Sequence, residues 1–212
     1  MNRVLGYFFS VLLLTSFPLN TVSAAGVFSF TGGVVGSGAI SDTYTIGYGF
    51  NVNSAVSVTE IGWYDVGGDG LGAAHDVGIW DGIGNLLFST TVPSGSGTTL
   101  DDGFRYTSGS LLLPFLLNPG DYVIGGTGAT IMDGYVARAT VTDNDGRITY
   151  TTARLNEGSA LAFPDKVNSV DAGGYFGPNM KVDPVPIPPA IWLFVSGLLG
   201  IIGIARGKKA KS

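Results

Sequence analysis

The chain has no cysteine among its 212 residues. That excludes a disulfide framework, a thiolate metal site and a cysteine nucleophile. It has one histidine, His75. A zinc site would need carboxylates for its remaining ligands. A Ser-His-Asp arrangement would need a serine on a G-x-S-x-G elbow, and none occurs. No G-x-G-x-x-G or P-loop pattern is present, so nucleotide binding has no support. His75 reads most simply as a histidine held by Asp76 or by backbone. Between the two ends there is no helical periodicity and no internal repeat.

Charge is also sparse, at 13% of residues, and unevenly placed. All 16 acidic side chains fall between Asp42 and Asp183, against six basic ones: Arg105, Arg138, Arg147, Arg154, Lys166 and Lys181. A surface this acidic argues against nucleic acid, where affinity comes from neutralising phosphates. It suits cations, or simply solubility.

What is abundant is apolar sequence at both ends and glycine between them. Arg3 precedes an apolar stretch over 4–17, and Val22-Ser23-Ala24 is a small-residue site. This predicts a secretory signal peptide over 1–24, cut between Ala24 and Ala25. At the other end, Val185, Pro186, Ile187, Pro188 and Pro189 precede an uncharged apolar run over 190–205, and Arg206, Lys208, Lys209 and Lys211 follow it. At ~1.5 Å per residue that run reaches ~24 Å, short of a hydrocarbon core of ~30 Å. The flanking prolines and snorkelling lysines extend it. A run apolar all round with a basic end predicts a transmembrane helix stopped on the cytoplasmic side. The expected order is therefore a signal peptide (1–24), an exported domain (25–184) and a tail (185–212).

That tail resembles the PEP-CTERM sorting signal of Gram-negative bacteria, in its Val-Pro-x-Pro variant. Ile187 stands where the usual motif has glutamate, and Ala190-Ile191-Trp192 continues the pattern. The resemblance implies recognition by an exosortase after export through the Sec machinery. It also implies an inner-membrane anchor facing the periplasm, then release to the cell surface or the extracellular space.

The 25–184 region reads as all-β: a two-sheet sandwich or jelly roll of eight to ten short strands. Tyr44, Ile46, Tyr48 and Phe50 alternate with small residues, which predicts a half-buried strand. Val56 and Val58 change parity against Ile61 and Trp63, so a β-bulge is expected near Thr59-Glu60. The segment from Val77 to Phe88 predicts a hairpin around 81–85. Further short strands are expected at 122–124, 134–139, 148–154, 161–163 and 180–182, with 183–186 as an extended linker. The motifs Gly62-Trp63-Tyr64-Asp65, Gly68-Asp69-Gly70-Leu71, 75–80 (His-Asp-Val-Gly-Ile-Trp), Phe104-Arg105-Tyr106 and 175–179 (Tyr-Phe-Gly-Pro-Asn) are similar to those of an uncharacterised exported β-domain. That resemblance implies no activity.

Two loops hold closely spaced carboxylates: Asp65 with Asp69, and Asp143 with Asp145. They read either as ordinary turn formers or as oxygen ligands for calcium. Tyr64 and Trp80 lie at opposite parity to Trp63 and Ile79. If the aliphatic face is the core, those two rings face out, where they either pack under a loop or second sheet or stack on a sugar. The expected function is a non-catalytic module associated with extracellular polysaccharide or biofilm matrix. The rival expectation is a hydrolase acting on such a polymer, which would need a carboxylate pair in one cleft.

Overall fold

The alternation from Tyr44 to Phe50 becomes the central strand of the molecule. The structure, a computed structural model, describes residues 26–36, 44–107, 114–128, 133–144, 146–168 and 174–185. Outside the described residues lie Ala24, Ala25, Asp145, Pro186, Ile187, Pro188, Pro189, the 190–205 run, Arg206, Lys208, Lys209 and Lys211.

Sixteen strands and no helix occur among the described residues. In chain order the first eight are β1 (Phe28–Thr31), β2 (Val34–Gly36), β3 (Tyr44–Val52), β4 (Val56–Tyr64), β5 (His75–Asp81), β6 (Leu86–Val92), β7 (Thr99–Asp101) and β8 (Phe104–Thr107). The second eight are β9 (Phe115–Leu117), β10 (Gly120–Thr127), β11 (Tyr135–Ala137), β12 (Thr140–Asp143), β13 (Ile148–Glu157), β14 (Lys166–Asn168), β15 (Tyr175–Phe176) and β16 (Pro178–Pro184). The count exceeds the eight to ten expected. Several strands are only two to four residues long, too short to show a period in sequence.

A six-stranded sheet in the order β14-β13-β3-β10-β5-β6 packs against a five-stranded sheet, β16-β4-β8-β7 with β9 also paired to β4. Smaller sheets, β15-β11-β2 and β1-β12, complete the sandwich. Every pairing is antiparallel. The core is aromatic. Tyr48 of β3 meets Phe28 at 5.3 Å and Phe176 at 5.2 Å between ring centroids, and Phe30 lies 4.0 Å from Phe176. Such pairs add ~0.5–1.5 kcal/mol each beyond the area they bury.

The bulge falls where the parity change puts it. In the β4–β16 ladder Glu60 pairs Lys181 and Val58 pairs Val182, which leaves Thr59 as the extra residue. Val56, Val58, Ile61 and Trp63 are consequently all buried. The 81–85 turn also forms as read: Asp81 Oδ1 accepts from the backbone N–H of Ile83 (3.1 Å) and of Asn85 (2.8 Å).

Three expectations need correction. β3 is buried on both faces, because a segment over 158–164 lies across its outer side. There Thr45 Oγ1 accepts from Ala162 N at 3.1 Å, and a β-carbon on Gly125 would come within 3.0 Å of Pro164. The expected strand at 161–163 is part of that irregular cover. Asp183 and Pro184 are not linker: they pair with Ser57 and Val56 as the end of β16.

Candidate functional site

The sequence motifs converge, and what they build is a sealed interior. β4 sets Trp63 opposite Arg105 of β8, and Tyr64 opposite Phe104. Paired residues share a face and neighbours alternate, so this part of the sheet carries bulk on both sides. Trp63, Phe104, Tyr106 and Arg105 are all buried. Trp63 stacks on His75 of β5, with ring centroids 4.2 Å apart and planes 1° from parallel, joining the two large sheets. Glycine makes the slot: a β-carbon on Gly126 would lie 2.5 Å from the Trp63 ring, and one on Gly177 2.7 Å from it.

His75 and Asp133 are both 0% exposed. The Thr127 carbonyl, 3.0 Å from Nδ1, can only accept, so Nδ1 carries the proton. Nε2 lies 3.2 Å from Asp133 Oδ2. The Asp133 oxygens accept one backbone N–H each, from Gly72 and Ala73, both at 2.8 Å. Burial lowers the His75 pKa below its ordinary value, against the opposing pull of Thr127 and Asp133. The Nδ1 bond ties His75 to Thr127, the backbone alternative of the sequence reading. The Asp133 carboxylate, not Asp76, is the side chain beside the ring, itself held by Gly72 and Ala73.

The first acidic loop wraps a cation supplied by the protein itself. Arg105 Nε donates to Asp65 Oδ2 at 2.7 Å; Nη1 donates to the carbonyls of Ser96 (3.2 Å) and Thr98 (3.1 Å), and Nη2 to that of Gly68 (2.8 Å). Gly67 and Gly68 take φ of 87° and 74°, the left-handed turn that brings the carbonyl round. Gly70 N donates to the same carboxylate at 3.0 Å. Asp65 is buried in this role and Asp69 is exposed. Asp143 accepts from Gly146 N at 2.9 Å, a turn contact. Among the described residues no group of three or more His, Asp or Glu side chains is arranged to hold a metal ion.

Of the two aromatics, Trp80 takes the packed alternative and Tyr64 is partly covered. Trp80 is 4% exposed and packs on Phe163 of the 158–164 cover, with centroids 6.2 Å apart. Tyr64 is partly buried edge-on against Phe104 at 5.3 Å. Parity does put Trp80 on the side away from the core, but a loop closes over it.

Beside that cover, the same outer face holds an open groove of about 420 Å³ that the sequence reading missed. Gly49, Ile83, Asp121, Thr151, Thr152 and Arg154 are among its walls. Its floor comes from a local accident of register. The β13–β3 ladder slips between Tyr150 and Thr152, so Thr151 is the extra residue of a bulge. A β-carbon on Gly49 would sit 2.6 Å from Thr151 Oγ1 and 3.6 Å from Arg154 Nε. Arg154 Nε is buried and has no hydrogen-bond partner. Asp121 Oδ1 accepts from Asn51 Nδ2 at 2.8 Å. The legible signal was glycine in mid-strand at Gly47 and Gly49, which marks a close approach.

No family model matches this chain, and no curated protein or solved structure resembles it closely enough to count as a match.

Proposed function

We propose that this chain is an exported surface or extracellular-matrix protein of a Gram-negative bacterium. It enters the inner membrane facing the periplasm, is cut by an exosortase, and then serves outside as a non-catalytic module associated with polysaccharide. One observation carries the sorting part: the order of Val185, Pro186, Ile187, Pro188 and Pro189, an uncharged run over 190–205, and then Arg206, Lys208, Lys209 and Lys211. Prolines lack the backbone donors of a sheet and favour an extended chain, which is the form a peptidase cleft accepts. The end of β16 fits this reading, since Val185 follows the last paired residue and is 38% exposed. A jelly-roll wiring of the sandwich belongs to the same reading. Its support is β3 lying between the sequence-distant β10 and β13, as the long returns of Greek-key folds produce. The polysaccharide part is supported by the groove on the six-stranded sheet, whose walls include Asp121, Thr151, Thr152 and Arg154.

Intact mass spectrometry of the surface-exposed protein tests the sorting. The expected mass begins near Ala25 and ends near the proline motif. A mature form that keeps 190–212 makes the tail an ordinary anchor and overturns the exosortase step. A form that also keeps 1–24 overturns export.

A further inference from the structure

We infer that the groove beside Arg154 is a binding site for a saccharide that carries a carboxylate, a uronate-type ring, with Arg154 taking the carboxylate. This deepens the polysaccharide reading above and rests on it.

The starting point is an unmet bond. Arg154 Nε is buried without a partner, and the Arg154 side chain lines a groove large enough for a ring-sized ligand. An orphaned buried donor is costly, and in a native fold it calls for an explanation. A carboxylate in the groove would pair with the Arg154 guanidinium, because the planar fork matches its two oxygens and the bond is charge-assisted. The other walls offer what sugar hydroxyls need. Thr151 and Thr152 both donate and accept, and Asp121 accepts. Ile83, exposed at the rim, offers an apolar edge.

The lining also says what the groove does not suit. A phosphate would bring nearly two negative charges to one arginine, with the Asp121 carboxylate in the same groove. A neutral sugar would use the hydroxyls and Asp121 but leave the guanidinium unmatched. A singly charged sugar acid uses both sides.

The test is a titration of the full chain in detergent with a glucuronate trisaccharide and with the glucose trisaccharide of the same linkage, at fixed ionic strength. The uronate is expected to bind about tenfold tighter or better, the scale of one charge-assisted hydrogen bond. Arg154→Met should abolish that preference, and Arg154→Lys should keep part of it, having the charge without the fork. Thr151→Val should weaken both sugars. If Arg154→Met lowers the melting temperature, the lysine and valine variants carry the comparison. Equal binding of the two sugars, untouched by either Arg154 variant, overturns this inference and leaves the polysaccharide reading standing. Binding of neither sugar by the native chain overturns both.

Discussion

Arg105 and Arg154 sit on strands of facing sheets, and their surroundings have been built to opposite ends. Around Arg105 every nitrogen has an internal acceptor: one carboxylate and three carbonyls. Around Arg154 a glycine and a bulge have cleared space, and Nε is left unmatched. The first region spends its polar groups on its own fold, so nothing remains to recognise a ligand. The second keeps polar capacity in reserve beside solvent. The most motif-like residues of the chain belong to the first, and the binding capacity belongs to the second.

The largest effect should come from breaking the closed cage. Asp65→Ala removes the one carboxylate that faces Arg105 and leaves a guanidinium buried against carbonyls alone. Removing one partner of a buried pair costs about 3–5 kcal/mol. Urea unfolding should therefore show a midpoint shift of that scale with an unchanged slope. A loss below about 1 kcal/mol would mean that Arg105 swings out to water, and that the closed and open regions differ less than their geometry indicates.

His75 gives a smaller effect, confined to mild acid. Its folded pKa lies below the unfolded value of about 6.5, chiefly through burial. Above that pH both states hold a neutral ring and histidine contributes no slope. As pH falls below about 6.5 the unfolded chain takes a proton that the folded chain resists, so stability is lost. One group sets a limit of about 1.4 kcal/mol per pH unit. Melting temperatures from pH 7 to pH 5 should fall in the native chain and fall less in His75→Gln. An unchanged slope in the variant would mean that Asp133 and Asp76 hold the imidazolium as readily as water does.

This contrast also marks how far the sequence can be read. Strand alternation at Tyr44–Phe50 and the parity break at Thr59 are local patterns, and both carried through to the fold. The Arg105 cage was not legible, because Asp65, Gly68, Ser96 and Thr98 meet only after β4, β7 and β8 have formed. Parity assigned Trp80 to the correct side of its sheet but could not show the 158–164 segment crossing over it. The groove depends on the bulge at Thr151, and Tyr150-Thr151-Thr152 looks like any other strand stretch. Side-chain alternation fixes a face; whether that face is covered depends on residues far along the chain.

The smallest effect, and the one that separates the two arginines most sharply, is the stability of Arg154→Met. Methionine keeps the length and apolar stem of the side chain while deleting the guanidinium. If Nε makes no bond in the folded protein, its removal relieves a desolvated donor and loses nothing in return. The variant should unfold within about 0.5 kcal/mol of the native chain, on the stable side if it departs at all. The matching Arg105→Met change strands Asp65 and should cost several kcal/mol by the reasoning that applies to any buried pair. A group that can be removed without loss of stability, yet is kept half-buried at some cost to the fold, is the pattern expected where stability has been traded for binding. Should Arg154→Met instead lose as much as Arg105→Met, Arg154 holds the sheet together, and the groove is a consequence of packing.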